Sequence, residues 1–337
     1  MKISRRRTVT TALALSVLCA PVVAMPYDWS PQSQSPKTTF KSTVDVVSVA
    51  AVVRDKRGRF ASGLRKEDFF VEEGGARRDI LQFHADTNAP VRVALLFDVS
   101  GSMRLGDRVE EARQAARHLL GALRLGPAVV EPNGGGIRRP VTINDEAAVF
   151  SFDMNLQSLQ PFTGDAGAIE SALARVTPYG QTSLYDAIAQ TARRVADTNP
   201  GDPHRRAVVV FTDGIDTSSQ LTAVQVSTIA SEIDVPVYVM TVVSPGVYED
   251  LAVHGEAPDS ALRRLAQWTG GDLFVTSAPA HKSIAARQIV DELRHQYVLA
   301  FAASPAAGWH QLTVKTRDRD LTVRARRGYA AGIRAGS

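Results

Sequence analysis

The stretch Phe97-Asp98-Val99-Ser100-Gly101-Ser102-Met103 sets one carboxylate and two hydroxyls at alternate positions, directly after the apolar run Val93-Ala94-Leu95-Leu96. A second carboxylate, Asp213, follows the run Ala207-Val208-Val209-Val210-Phe211, and Thr182 stands in YGQTSLYDAI ahead of a helical pattern. Two carboxylates and three hydroxyls are hard oxygen donors, with no histidine or thiolate among them. Such a set suits Mg²⁺, Mn²⁺ or Ca²⁺ and not zinc. Two aspartates balance a divalent charge, and the hydroxyls fill most of an octahedron. Some contacts would run through water, and one position would stay open to a carboxylate from a partner. Asp216, three residues past Asp213, reads as a residue that caps or orients its loop. Asp186 reads as a favourable negative charge in the first turn of a helix.

These residues need elements that bring them together. After Pro90, continuous apolar runs at 93–97, 147–152, 207–211 and 235–243 alternate with helical stripes. Val109, Ala112, Ala116, Leu119, Leu120 and Leu123 form one stripe, and Leu184, Ile188, Ala192 and Val195 another; Leu262, Leu265 and Ala266 form a third. Strands apolar on both faces belong in a sheet covered by helices on both sides. The pattern predicts an α/β fold with a doubly wound, mainly parallel sheet. Ligands of such sheets bind beyond the carboxyl ends of the strands, where the strand order reverses. Asp98 and Asp213 both follow predicted strands at that edge.

The flanks have β character. Val47, Val49, Ala51 and Val53 alternate with smaller or polar neighbours, and Glu73-Gly74-Gly75 marks a turn between DFFV and DILQF. Strands are also predicted at 297–301, 310–316 and 321–325, the last two joined by the charged turn RDRD. Arg324, Arg326 and Arg327, interleaved with Val323 and Ala325, read as a solvated strand face. Neither β segment is large enough to bury much alone. Pairing of 40–89 with 279–334, with the α/β domain over 90–278 inserted between them, would give both a core. Residues 126–146 form a Gly/Pro-rich loop, whose glycine triplet lies between a helix and a strand and so is no phosphate cradle.

The N-terminus has the layout of a leader. Lys2 and Arg5-Arg6-Arg7 form a basic head, Thr11 to Val23 is mostly apolar, and Val22-Val23-Ala24 supplies small residues for cleavage. About 13 residues fall short of the ~30 Å that a membrane span requires. Ser4-Arg5-Arg6 carries paired arginines, while Thr8-Val9 lacks the bulky apolar pair of a twin-arginine leader. Leu18 is too large before a lipidated cysteine, so Cys19 is not read as a lipid anchor. Residues 25–39, rich in Pro, Ser and Gln, read as a flexible tether. The net charge of +4 is carried by that leader: the other 35 of the 39 basic residues match the 35 acidic ones. Nucleic acid binding is therefore not indicated. The single cysteine, Cys19, lies in the leader too, which leaves no disulfide to hold the mature chain.

The set Asp98, Ser100, Ser102, Thr182 and Asp213 resembles the von Willebrand factor A domain with its metal-ion-dependent adhesion site. In that family D-x-S-x-S follows the first strand, a threonine precedes a later helix, and an aspartate follows the fourth strand. The segment from Val46 to Gly75 and the stretch LTVRARRGYAA are similar to the flanks of exported bacterial proteins described only as von Willebrand factor A-related. The 126–146 loop is longer than that pattern. The resemblance implies a binding module, periplasmic or secreted, that holds Mg²⁺ (or Mn²⁺ or Ca²⁺) and through it a carboxylate of a protein partner. It implies no membrane span in the mature chain. A structural or assembly role, in which the metal only stabilises loops, is the alternative. An enzyme is not expected: no H-E-x-x-H, G-x-S-x-G or Walker motif is present, and the seven histidines are scattered.

Overall fold

The computed structural model describes residues 46–86, 88–126, 144–196, 202–232, 234–242, 260–276 and 278–331. The expected leader over 1–24, the tether over 25–39 and most of the 126–146 loop lie outside the described residues. Among the described residues, no helix is long and apolar enough to cross a membrane.

The α/β part begins with strand β5 (Val91–Asp98), followed by α1 (Arg108–Ala122), β6 (Glu146–Phe152), β7 (Leu156–Thr163), α2 (Ala166–Ala174) and α3 (Leu184–Ala196). It continues through β8 (Arg205–Thr212), α4 (Ala223–Glu232), β9 (Val237–Thr241), α5 (Ser260–Trp268), β10 (Leu273–Val275) and α6 (Pro279–Arg294). The six strands lie in the order β10-β9-β8-β5-β6-β7. All neighbours are parallel except β6 and β7. Alternation along β5 serves both faces. Val93, Leu95 and Phe97 pack with α1, α2 and α6, whereas Ala94 and Leu96 pack with α3, α4 and α5. The sheet is thus doubly wound, as its apolar runs predict. Strand β7 was not anticipated: its alternating polar residues and Pro161 fit an antiparallel edge, which needs no continuous apolar run.

One carboxylate ties the entry of this part to its exit. Asp145, fully buried, accepts from Val91 N–H at 2.8 Å through Oδ1. Its Oδ2 accepts from Arg124 N–H at 2.6 Å and from the Arg294 guanidinium at 2.5 Å. Val91 opens β5 and Arg294 closes α6.

The flanking strands are β1 (Val46–Arg54), β2 (Phe69–Glu73), β3 (Ala76–Arg78), β4 (Ile80–His84), β11 (Gln296–Ala302), β12 (Gly308–Thr316), β13 (Thr322–Ala325) and β14 (Gly328–Ala331). They form two four-stranded sheets, ordered β13-β1-β11-β4 and β14-β12-β2-β3. Val49, Ala51, Phe69, Val71, Leu299, Phe301, Leu312 and Val314 from both sheets share one core. The turn at Gly74-Gly75 closes β2 on β3, and β4 leaves for the other sheet to pair with β11. Likewise β12 and β13 part into different sheets on either side of RDRD.

Arg324 and Arg326 correct the expectation of a solvated face. Arg326 is buried and donates to the carbonyls of Ser231 and Ser48. Arg324 bridges Asp272, at 2.8 Å, and Glu292. Their acceptors come from remote elements, so the local charge pattern could not disclose them.

Candidate metal centre

In this strand order the chain runs outward from β5 through β6 and β7, then crosses back to β8 on the other side of β5. The reversal falls between β5 and β8, and a crevice opens there at the carboxyl ends. Asp98 is the last residue of β5, and Asp213 directly follows β8.

Local backbone chemistry fixes the first loop. Asp98 Oδ1 accepts from Ser100 N–H at 2.9 Å, and its Oδ2 accepts from the Thr212 hydroxyl at 2.6 Å. The hydroxyls of Ser100 and Ser102 lie 3.0 Å apart. Burial pushes the Asp98 carboxyl up to about 6, against the lowering effect of the Thr212 and Ser100 hydrogen bonds, and the neighbouring negative charge of Asp213 adds to the rise. Two carboxylates share this crevice, and the charge of Asp213 disfavours ionisation of Asp98 unless a cation stands between them.

Arg108, the first residue of α1, supplies a cation. Its Nη1 donates to Asp213 Oδ2 at 2.7 Å and to the Ser102 carbonyl at 3.0 Å. Both side chains are largely buried, with 12% and 2% exposure. Sequence reasoning missed Arg108, although one signal was available. A positive charge at a helix N-terminus opposes the macrodipole and calls for a counter-charge. Thr212 was missed as well, since a threonine ending a strand is unremarkable by itself.

Thr182 reaches the same crevice on a third loop. Gly101 N–H donates to the Gly180 carbonyl at 2.9 Å, which docks that loop on the serine loop. Gly180 has φ +106°, and a Cβ there would stand 3.1 Å from the Asp153 side chain, so glycine suits the turn on both counts. The Thr182 carbonyl accepts from Thr217 and Ser218 N–H at 3.0 and 2.9 Å, lacing the Thr182 loop to the Asp213 loop. Asp216 orients that junction, accepting from Leu184 N–H at 2.8 Å and from the Ser219 hydroxyl at 2.6 Å. Asp186, in the first turn of α3, accepts from the N–H groups of Gln220 and Leu221.

Ser102 and Thr182 line a cleft of about 340 Å³, together with Gly101, Gly180, Gln181, Ile215 and Thr217. All five sequence-predicted oxygen donors therefore converge on one edge of the sheet. Asp98, Ser100 and Ser102 are joined by hydrogen bonds, Arg108 links Ser102 to Asp213, and Thr182 joins Ser102 at the cleft. Among the described residues, no cluster of three or more His, Cys, Asp or Glu side chains is placed to hold a metal, so the crevice's two carboxylates rely on hydroxyls to complete a donor set. The donor set at the crevice fits a hard divalent cation by its chemistry.

The rim is apolar. Of nine large hydrophobic side chains exposed among the described residues, four stand on loops at this edge: Leu105, Met154, Tyr179 and Ile215. Tyr179 is 72% exposed, and the Arg104 guanidinium lies 5.9 Å from its ring. A concentration of this kind marks a contact surface more than scattered leucines would.

Among solved structures, an aerotolerance-related membrane protein from Bacteroides fragilis is 20% identical, with 60% of this chain and 98% of that chain covered at a TM-score of 0.45. BatB from Bacteroides thetaiotaomicron, a conserved hypothetical protein, gives the same identity, 20%, and the same TM-score, 0.45. Its coverage is also 60% of this chain and 98% of that one. Proximal thread matrix protein 1 from the mussel byssus, with a zinc-occupied MIDAS motif, is 16% identical over 66% of this chain and 49% of that chain, at a TM-score of 0.46. No curated protein matches the chain. Residues 93–215 match the family model of the von Willebrand factor type A domain, a span that includes all five candidate donors. With its parallel sheet and its crevice between β5 and β8, the chain carries a von Willebrand factor type A domain.

Proposed function

We propose that this chain is an exported, metal-dependent binding module. It holds Mg²⁺ (or Mn²⁺ or Ca²⁺) through Asp98, Ser100, Ser102, Thr182 and Asp213, and captures a carboxylate of a protein partner. The observation that carries this reading is the pair of buried carboxylates from β5 and β8 in one crevice with three hydroxyls. When bound, the cation supplies an electrophilic coordination position. The chain's own residues do the rest. Thr212 and the Ser100 N–H hold the Asp98 carboxylate in one orientation, and the Gly101–Gly180 bond keeps Thr182 beside Ser102. Leu105, Met154, Tyr179 and Ile215 offer apolar contact around the cation, which favours a partner whose acidic side chain is itself ringed by apolar residues.

Export is supported by the basic head and apolar stretch of the N-terminus, and places the protein in the periplasm or outside a bacterial cell. Catalysis is not proposed: hydroxyl ligands offer no general base. A purely structural metal is the weaker reading, because Arg108 already balances part of the crevice charge and the rim is apolar and exposed.

The test is direct Mn²⁺ titration followed by capture of partners from envelope or medium extracts. Asp98→Ala is expected to weaken Mn²⁺ by at least the about 10–100-fold that outer-shell substitutions cost. Partner capture should vanish in EDTA, return with Mg²⁺ or Mn²⁺, and fail for Asp98→Ala. Tyr179→Ala should leave Mn²⁺ affinity unchanged and weaken the partner about tenfold or more, as an aromatic anchor at an interface does. Capture that survives chelation would sink the metal bridge.

A further inference from the structure

Arg108 has no place in the donor set, yet it makes a largely buried ion pair in the crevice. Its guanidinium holds Asp213 Oδ2 at 2.7 Å, on a carboxylate only 2% exposed. The Arg108 Nε is buried and has no hydrogen-bond partner among the described residues, so the guanidinium is held from one side only. Within the donor set the charged groups are Asp98 and Asp213. Together with Arg108 they sum to one negative charge, and a divalent cation would turn that sum to one positive charge.

We propose that Arg108 is a built-in competitor for the metal: it neutralises Asp213 in the metal-free protein and must release that carboxylate before the cation can use it. This rests on the metal-binding reading of the same crevice. Two properties follow from the geometry. The metal-free crevice is stable, because Asp213 is not left as an unpaired buried charge. Metal affinity is set below what the five donors alone would give, because the cation must displace a nearby guanidinium and then tolerate its charge.

The experiment is Mn²⁺ binding to the full chain, followed by electron paramagnetic resonance, in the wild type, Arg108→Gln, Arg108→Lys, Asp213→Asn and the double variant Arg108→Gln/Asp213→Asn. Arg108→Gln is expected to bind Mn²⁺ about tenfold or more tightly, the ratio a close charge pair of about 1.4 kcal/mol would set. Arg108→Lys should stay near the wild type. In the Asp213→Asn background the same Arg108→Gln change should have much less effect, since the carboxylate being contested is gone. Thermal melts supply the second readout. Arg108→Gln should melt lower than the wild type without metal and gain more on saturating Mn²⁺. An unchanged or weaker affinity in Arg108→Gln overturns the competition, as does equal tightening with and without Asp213. If Arg108→Gln does not fold, Arg108→Met is measured in its place, and an unchanged or weaker Mn²⁺ affinity there overturns the competition. Absence of Mn²⁺ binding in the wild type and in every variant overturns the metal centre itself, whereas binding that ignores Arg108 overturns only the competition.

Discussion

Glu292→Ala is expected to lower stability by about 3–5 kcal/mol, the range for removing one partner of a buried ion pair. Glu292 has no exposed side-chain surface, although it lies on α6, and two arginines converge on it from the flanking sheet. Arg54 of β1 donates to its Oε1 at 2.9 Å, and Arg324 of β13 pairs with its Oε2. Gln288, one turn earlier, donates to Oε1 at 3.1 Å. Removing the carboxylate leaves two guanidinium groups facing each other in a partly closed space. Arg324 would keep Asp272 at 2.8 Å, whereas Arg54 would keep only the Gly58 carbonyl and the face of Phe60. Glu292→Gln preserves an acceptor oxygen and shape, so its loss should be smaller. Urea unfolding of the three proteins checks the order. A Glu292→Ala midpoint equal to that of wild type would mean that the junction contributes nothing.

Gly271→Ala is expected to cost about 3 kcal/mol, the upper end for overpacking, because the obstacle is backbone and not a side chain that can swing away. A Cβ at this position would stand 2.0 Å from the carbonyl oxygen of Val237 and 2.6 Å from its carbon. Val237 opens β9, and its N–H is already held by the Thr269 hydroxyl at 3.0 Å. Moving it would disturb β9 and its parallel neighbours β8 and β10 together. A melting curve shifted down by several degrees is the expected result, and one superimposable on the wild type would show that the α5–β10 connection yields freely.

The parts of the fold that the sequence disclosed are those where one local pattern carries all the information. Strands β5, β6 and β8 are buried on both faces, so their residues must be apolar without interruption. The oxygen donors are readable for a similar reason: Asp98, Ser100 and Ser102 are spaced within one loop, and Asp213 and Thr182 each adjoin an unmistakable element. Features decided by distant partners were hidden. Arg324 and Arg326 look like solvent-facing residues until Glu292, Asp272 and the carbonyls of Ser48 and Ser231 are placed beside them. Arg108 looks like an ordinary helix residue until β8 brings Asp213 within 2.7 Å. The splitting of β12 from β13 depends on β1 and β2, more than two hundred residues earlier, and no turn sequence encodes that choice.

The Asp145 clasp bears on the order in which the chain assembles. Strand β1 pairs with β11 across the whole length between Val46 and Ala302, and such a long closure is entropically slow and unfavourable for an open coil. Once Asp145 has gathered Val91 and Arg294, the residues between them no longer count as free loop. The closure that β1 and β11 still face then shrinks about fivefold, a relief of roughly 1–2 kcal/mol at the usual logarithmic rate. An α/β part that folds first would therefore work as a splint for its own flanks, holding β1 and β11 close enough to pair.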